Sequence, residues 1–258
     1  MVATRWGICS AGKIAHDFLA ALKTLPPEDH QVVAIASRDL SRAEEYAKTH
    51  GIPKAYGSYA ELAEDPDNSL LSPQLSIPRC VEKELGGGGL LDIGCYCIQF
   101  ACMVFNGEKP ESILASGFLH NTGVDKTVSI ILNYSRHRQA VLTCTMTAKM
   151  PNRASINGTK GMIEIPSTFW CPTELVVNGQ RESFPLPPSP MPVHFSNSIG
   201  LRYEAEHVRQ CLLQGLKESP VLTHADSALI NSILDEIRRQ VGVLYAQDDM
   251  EHIPNSFV

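Results

Sequence analysis

The chain has 258 residues, of which 43% are hydrophobic and 19% are charged, a composition typical of a globular protein large enough for two modest domains. Its formal net charge of -6 and its pI near 5.8 provide no electrostatic attraction for nucleic acid or for an anionic membrane. We therefore expect neither nucleic acid nor a membrane as a partner.

The N-terminal residues lack the charged and apolar regions of a signal peptide, and no apolar run is judged to reach transmembrane length. The eight cysteines lie mostly inside apolar runs, as reduced thiols do, so we expect a cytoplasmic protein. Cys95 and Cys97 lack the second pair that a zinc site requires, and the nine histidines form no cluster of the H-E-x-x-H kind. No metal site is expected.

The first third of the chain predicts a βαβ unit. Residues 5–10 have the pattern of a short buried strand, residues 12–25 have apolar side chains at helical spacing, and residues 31–36 form a second apolar run. A strand, a helix and a parallel strand in this order are typical of a doubly wound sheet.

The turn between the first strand and the helix, SAGKIA, is a variant of the dinucleotide fingerprint G-x-G-x-x-G/A, with Ser10 in place of the first glycine. Gly12 would let backbone N–H groups approach a pyrophosphate at the helix N-terminus, and Ala11, Lys13 and Ile14 complete the candidate site. A strand-to-helix turn without a ligand can have the same sequence, so the motif alone leaves both interpretations open.

The end of the second strand favours NADP over NAD. An NAD site usually has an acidic residue here, whereas this chain has Ser37 and Arg38, a hydroxyl and a guanidinium suited to a 2′-phosphate. Asp39 lies close enough to complicate this choice, although its position predicts the N-cap of a helix over residues 40–49. The alternative for Arg38 is a solvated surface arginine.

The sheet is expected to stop early. Residues 54–56 predict a third strand, and Ser58 with Glu61 forms a capping-box pattern that opens a short helix. Residues 69–80 then contain two prolines, which exclude a central strand and a regular helix. The chain therefore lacks room for a complete six-stranded dinucleotide domain.

The strongest site candidate is GGGGLLDIGCYCIQF, residues 86–100. Four glycines predict a mobile loop, and the apolar run behind them predicts a helix that enters the core. Asp92 and Tyr96 are four residues apart, so they would share one helix face and act on one ligand atom. A buried acid beside a buried phenol is costly unless it is used, although a core tyrosine with a satisfied hydroxyl is the alternative.

A different pattern follows the site helix. Residues 127–134 and 138–147 alternate apolar and polar side chains, as half-buried antiparallel strands do, and residues 157–158, Asn-Gly, predict a hairpin turn. Amphipathic helices are expected over residues 203–216 and 225–246. The predicted fold class is a partial Rossmann-type α/β domain, residues 1–75, followed by an α+β domain, residues 76–258, with an open-faced, mainly antiparallel sheet and helices.

Several segments, among them WGICSAGKIAHDF, VVAIASRDLSRAEEYA, GGGGLLDIGCYCIQF and YEAEHVRQCLLQGLKESP, resemble the Gfo/Idh/MocA oxidoreductase family nearly end to end. The resemblance implies a Rossmann domain that binds NADP, a homodimer formed through the C-terminal sheet, and hydride transfer from a small substrate such as a dihydrodiol or an aldopentose. The family element D-x-G-x-[HY] falls on Asp92, Gly94 and Tyr96, which implies that Tyr96 is the acid/base with Asp92 beside it. Phe195 resembles an aromatic wall of the substrate pocket.

The chain departs from the family at its Glu-Lys-Pro motif, whose lysine lies beside the acid/base residue. Glu108, Lys109 and Pro110 have the same identities, but they follow the site helix, so we reject them on position. Without a nearby ammonium, a phenol with a pKa of about 10 is a poor base at neutral pH. Three interpretations stay open: a shortened but active dehydrogenase, a catalytically impaired dimerising isoform, and a nucleotide-binding module.

Overall fold

The structure, a computed structural model, describes residues 3–67, 70–73 and 80–250. The chain divides into two compact units, Met1–Ser76 with Asn152–Ser219 and Ile77–Pro151 with Pro220–Val258. We call them unit 1 and unit 2. The predicted boundary between residues 75 and 76 lies beside the first division, whereas residues 152–219 group with the N-terminal segment. The functional division into 1–75 and 76–258 stays a prediction.

Eleven strands and six α-helices are described. The strands are β1 (Thr4–Cys9), β2 (His30–Ala36), β3 (Lys54–Tyr56), β4 (Leu70–Pro73), β5 (Ser112–Leu119), β6 (Asp125–Tyr134), β7 (Arg138–Thr145), β8 (Ala154–Gly158), β9 (Gly161–Ile165), β10 (Glu174–Val177) and β11 (Gln180–Ser183). The helices are α1 (Lys13–Leu22), α2 (Leu40–His50), α3 (Tyr59–Glu64), α4 (Cys95–Val104), α5 (Leu201–Leu213) and α6 (His224–Val241). A π-helical turn, Leu90–Gly94, precedes α4.

Unit 1 contains a parallel four-stranded sheet in the order β3-β2-β1-β4. The buried face of α1 packs on it, and Phe18, Leu19 and Ile35 belong to one apolar core. Strands that alternate with helices in this way confirm the predicted Rossmann-type architecture. The parallel pairing also brings Cys9 opposite Ala36, so the carboxyl ends of β1 and β2 lie side by side.

The fourth strand corrects the expectation that the sheet breaks off at its third strand. Leu70–Pro73 pairs in parallel with β1, with Pro73 opposite Cys9. Because β4 is an edge strand, one side of it needs no ladder hydrogen bonds, and a proline at its last position is tolerated. The rest of the predicted connector, residues 69 and 74–79, lies outside the described residues, whereas Cys80 is described.

The predicted helix caps are confirmed. The Asp39 carboxylate accepts hydrogen bonds from the Ser41 and Arg42 amides at the start of α2, which ends at Gly51 in a left-handed conformation. Ser58 and Glu61 form the predicted capping box at α3. Each cap satisfies backbone groups that have no partner within their own helix.

The antiparallel strands fall into two sheets rather than one: β5-β6-β7 in unit 2 and β11-β10-β9-β8 in unit 1. The predicted hairpin after residue 154 exists, but its turn is shifted. Gly158 still pairs with Gly161, so the turn lies at residues 159–160 rather than 157–158. The Asn-Gly turn that forms is at Asn178 and Gly179, whose positive φ angles of 50° and 83° suit a type I′ hairpin between β10 and β11.

Unit 2 has one buried and one exposed sheet face. Val128, Ile130, Leu132 and Tyr134 alternate along β6 and are all nearly inaccessible, in a core that also contains residues of α4 and α6. The residues between them face the other way. The predicted half-buried strands with helices on one side are therefore confirmed.

One helical segment among the described residues, Lys83–Val104, is long and apolar enough to cross a membrane by length and composition alone, contrary to the sequence expectation that no run reaches that length. A buried core helix passes the same test. Leu90, Ile98 and Ala101 of this segment are buried in the core of unit 2.

Candidate active site

The candidate nucleotide-binding turn connects β1 to α1. Ser10 has a φ of 85°, a left-handed conformation that favours the glycine of the usual fingerprint, and its amide donates a 2.7 Å hydrogen bond to the Ala36 carbonyl. Gly12 is the N-cap of α1 and provides no side-chain cap, so the first amides of the helix lack an intrahelical partner. Such a helix N-terminus suits an anionic group.

The room around this turn fits a closely approaching ligand. A Cβ built on Gly12 would meet only the Ser10 hydroxyl, at 4.0 Å, so the glycine is surrounded by open space rather than by protein. Ala11 is buried, Ile14 is half-buried and Lys13 is exposed. The residues present therefore fit the pyrophosphate of a dinucleotide through backbone N–H groups.

Two residues of α2 brace the turn, and the sequence analysis missed both. The Arg42 guanidinium donates a 2.8 Å hydrogen bond to the Ala11 carbonyl, and the Tyr46 hydroxyl donates to the Gly12 carbonyl at 3.2 Å. Burial raises the pKa of Tyr46, which keeps its hydroxyl protonated as a donor. Arg42 and Tyr46 are four residues apart and so share one face of α2, and this spacing in the sequence could have indicated that they act on the same turn.

Ser37 and Arg38 lie directly after β2, beside the turn that follows β1. Ser37 is 8% exposed, and its amide donates to the Tyr56 carbonyl, whereas the Arg38 side chain is exposed. Asp39 is occupied as a helix cap, since its carboxylate accepts hydrogen bonds from both the amide and the hydroxyl of Ser41. Ser10 through Ile14 and Ser37 with Arg38 therefore share one end of the parallel sheet.

The glycine stretch is a packed turn rather than the expected mobile loop. Gly87, Gly88 and Gly89 are all buried. A Cβ on Gly88 would lie 2.5 Å from the Asp125 Oδ1, and the φ of Gly88 is +132°, so no other residue fits there without a shift. The Tyr245 hydroxyl also donates a 2.5 Å hydrogen bond to the Gly87 carbonyl.

A buried carboxylate anchors the start of the helical segment. Asp125, at the start of β6, is fully buried and accepts a 2.6 Å hydrogen bond from the Leu90 amide through Oδ2. Among the described residues its Oδ1 has no hydrogen-bond partner. Burial raises the pKa of Asp125, although the backbone amides of Leu90 and Gly89 act in the opposite direction.

The helix that carries the candidate catalytic residues begins with a π turn. The Cys95 amide donates to the Leu90 carbonyl, five residues earlier, before α4 continues with ordinary geometry. Single π turns are uncommon and occur often at functional sites. A glycine is needed at Gly94, where the π turn meets α4, because a Cβ there would lie 3.0 Å from the Cys144 Sγ and from the Leu90 side chain.

Asp92 and Tyr96 lie one turn apart on this segment, as predicted, but the pair is not buried. Tyr96 is 51% exposed and Asp92 is half-buried. The Cys80 thiol lies 3.5 Å from the Asp92 Oδ2 as a hydrogen-bond donor. The expected cost of burying an acid beside a phenol is therefore reduced, because solvent reaches the phenol.

Phe195, the predicted aromatic wall, is positioned by α1. The Asp17 carboxylate, which is fully buried, accepts 2.8 Å hydrogen bonds from the His194 and Phe195 amides. The Phe195 side chain is 40% exposed. Phe195 thus belongs to unit 1, as the nucleotide turn does, whereas Asp92 and Tyr96 belong to unit 2.

Glu108 of the Glu-Lys-Pro sequence has a structural partner. Its carboxylate pairs with Arg138 at 2.5 Å and accepts a hydrogen bond from the Ser135 amide. Hydrogen bonds from Ser135 and Arg138 hold the pKa of Glu108 below its usual range. These contacts support the positional argument against a catalytic role.

Comparison with protein families gives two matches. Residues 4–72 match a model described as an oxidoreductase family with an NAD-binding Rossmann fold, and residues 69–164 match the GFO/IDH/MocA C-terminal domain.

Alignments with named relatives cover nearly the whole chain. The chain is 46% identical to trans-1,2-dihydrobenzene-1,2-diol dehydrogenase of Xenopus tropicalis, over 95% of the chain and 100% of the relative. The human protein of that name is 39% identical, over 96% and 99%.

Solved structures show the same fold at low identity. A 3-ketoreductase from Actinomadura kijaniata in complex with NADP and TDP-benzene has a TM-score of 0.72 at 19% identity, covering 93% of this chain and 98% of that one. An oxidoreductase from Agrobacterium radiobacter in complex with NAD+, L-tartaric acid and magnesium has a TM-score of 0.69 at 13% identity, covering 93% and 96%.

Fold, nucleotide turn and relatives together define an NAD(P)-dependent dehydrogenase with a Rossmann-type domain. The chain belongs to the Gfo/Idh/MocA oxidoreductase family. A nicotinamide cofactor follows from this membership.

The Asp125→Asn variant should change how stability depends on pH. Because burial raises the pKa of Asp125, the folded protein holds the proton more tightly than the unfolded chain. The protonated Asp125 therefore contributes to the stability of the wild-type protein. This stability is fully present below the unfolded pKa of about 3.9 and is lost as the pH rises through the folded pKa. Relative to wild type, the variant should therefore gain stability as the pH rises above about 4, measured by urea denaturation.

Asp226→Asn is the matched control of opposite sign, since hydrogen bonds from Thr223 lower the pKa of Asp226. The Asp226→Asn variant should be less stable than wild type by its full amount at neutral pH, and this difference in stability should vanish in acid. An Asp125→Asn difference that is constant with pH, or that follows the sign of the control, would contradict the assignment of Asp125 as a buried acid.

Proposed function

We propose that this chain is an NADP-dependent dehydrogenase that oxidises a carbinol carbon of a trans-dihydrodiol, or of an aldopentose such as D-xylose, with Tyr96 as the acid/base. The single observation that carries the proposal is the 46% identity, over 95% of the chain, to proteins named trans-1,2-dihydrobenzene-1,2-diol dehydrogenase. The reaction type and the aldopentose alternative follow from the family resemblance, and the dihydrodiol substrate is taken from the names of those relatives.

The choice of NADP rests on the end of β2. Asp39, the acid that directly follows Arg38, caps α2 and is thereby tied to the Ser41 and Arg42 amides. Ser37 and the exposed Arg38 are then the polar residues that directly follow β2 and precede this cap. A guanidinium and a hydroxyl suit the two or three oxygens of a 2′-phosphate better than a free 2′-hydroxyl.

In this proposal the bound nicotinamide supplies the hydride acceptor. Tyr96, as the phenolate, would take the proton that leaves the substrate hydroxyl and become the neutral phenol, and its 51% exposure keeps it accessible to a substrate. Asp92, one turn earlier, orients the substrate or the phenol. Phe195 provides an apolar wall, and the amides at the start of α1 hold the pyrophosphate.

A second candidate is a catalytically impaired, shortened isoform. The alignment with the relative from Xenopus tropicalis spans 329 positions, more than the 258 residues of this chain, so that relative has residues with no counterpart here. The described parallel sheet has four strands. A segment removed from this region would take the family lysine with it and leave Tyr96 a poor base.

The exposed face of β5-β6-β7 supports a homodimer. Leu114, Ile131 and Val141 form one cross-strand row, and Phe118 extends the apolar surface with 69% of its side chain accessible. Adjacent exposed apolar side chains of this kind are typical of association surfaces.

A cytoplasmic location is also proposed, because all eight cysteines are free thiols, as in reducing compartments.

Arg38→Ala should weaken NADPH binding by about 10- to 100-fold, the value of one or two charge-assisted hydrogen bonds, and leave NADH binding unchanged. Isothermal titration of the purified chain with each cofactor measures both. Arg153→Ala, at an exposed arginine in the same unit, is the control. Equal NADPH affinity in the Arg38 variant and in wild type would remove the basis for NADP preference.

Tyr96→Phe should lower kcat by about 10²- to 10⁴-fold without changing NADPH affinity, because it removes only the proton-transfer group. The readout is NADPH formation with a trans-dihydrodiol or D-xylose. Tyr203→Phe is the matched control, since that phenol is 59% exposed and lies in unit 1. Wild-type protein that binds NADPH but does not turn over at high concentration would favour the impaired isoform.

Phe118→Glu combined with Val141→Glu should convert a dimer to a monomer in sedimentation experiments, because two charges would be buried in the contact without partners. Leu244→Glu, at a side chain 64% exposed outside the sheet, should leave the dimer intact. A wild-type chain that sediments as a monomer would refute the proposed interface.

A further inference from the structure

Three histidines that are far apart in the sequence come together in unit 1. His16 lies in α1, His50 is the last residue of α2, and His194 lies in the segment before α5. One ligand atom each from His16, Asp17 and His194 lie within 4.8 Å of one another. His50 is not a member of this group but lies beside it, since its Nε2 is 3.4 Å from the His16 Nδ1. Sequence spacing had indicated scattered histidines.

The hydrogen bond on the far side of His16 fixes its tautomer. His16 Nε2 lies 2.8 Å from the Pro192 carbonyl, which can only accept, so a neutral His16 carries its proton on Nε2. Its Nδ1 then has a lone pair that faces His50. A carbonyl that orients the second ring nitrogen in this way is the usual outer contact of a metal-binding histidine.

The spacing of the two nitrogens suits a tetrahedral ion. With metal–nitrogen bonds of about 2.0 to 2.1 Å, two tetrahedral ligands lie about 3.3 to 3.4 Å apart. The observed separation between His16 Nδ1 and His50 Nε2 is 3.4 Å. The same distance also fits a weak hydrogen bond between the rings, and this is the alternative that the experiment must exclude.

The Asp17 carboxylate completes the donor set. The Asp17 carboxylate is fully buried and accepts one amide hydrogen bond on each oxygen, which leaves further lone pairs and holds His194 beside α1. Among the described residues the Nδ1 of His50 has no hydrogen-bond partner.

We infer that His16, His50 and His194, with Asp17, bind one divalent transition-metal ion of the zinc type. Three imidazoles and a carboxylate are the donors that Zn²⁺ and Co²⁺ prefer in tetrahedral sites. The ion would connect α1, α2 and the segment that carries Phe195. The inference is independent of cofactor choice and of the role of Tyr96.

Titration of the full-length, chelator-treated chain with Co²⁺ tests the inference. We expect one Co²⁺ per chain, visible ligand-field bands of a tetrahedral ion, and loss of those bands when Zn²⁺ is added. His50→Gln and His194→Gln should each weaken binding at least about 10-fold, since even loss of an outer hydrogen bond costs that much. His194 is exposed, so its variant leaves the core unchanged.

His120→Gln is the matched control, because His120 is a half-buried histidine of unit 2 whose ring contacts Thr122. It should bind Co²⁺ as wild type does. Absence of ligand-field bands in the wild-type protein, or equal Co²⁺ affinity in the His50, His194 and His120 variants, would overturn the site and leave a hydrogen-bonded histidine pair.

Discussion

The buried carboxylate of Asp125 is the contact that the geometry of the candidate site in unit 2 depends on. It binds the Leu90 amide at the start of the π turn, and it fills the space that a side chain at Gly88 would need. An ionised carboxylate at a helix N-terminus is stabilised by the amides there, but complete burial opposes ionisation. The site helix is therefore tied to β6 by an acid whose pKa is raised by burial. The positions of Asp92 and Tyr96, which lie further along this segment, depend on that contact.

The packing around Asp125 explains why the position of the glycine stretch was predicted correctly but its structure was not. The stretch was expected to be a mobile loop, and it is a packed turn. A run of glycines indicates a loop because glycine lacks a Cβ, and the same property permits close packing. Sequence alone cannot distinguish the two, since Asp125, Tyr245 and Cys144, which occupy the space, are distant in the chain. The π turn was not predicted either, and Gly94 at its end is packed closely against Cys144, which is distant in the chain.

Features set by neighbours in sequence were predictable, and features set by distant contacts were not. Asp39 and the Ser58–Glu61 pair caused the expected caps because a cap needs only residues within one turn. The Asn-Gly at residues 157–158 failed because the β8–β9 register places Gly158 opposite Gly161. β4 was missed because its proline is harmless only at an edge, and the edge is defined by the rest of the sheet.

The nucleotide turn shows how a variant motif is accommodated. A non-glycine residue in the left-handed region costs about 1 to 2 kcal/mol, and Ser10 has this conformation at the position of a fingerprint glycine. Hydrogen bonds offset the cost: the Ser10 amide binds β2, and Arg42 and Tyr46 bind the next two carbonyls. α1, which follows the turn, holds Phe195 through Asp17. A shift of α1 would therefore move the phosphate-binding amides and the predicted substrate wall together.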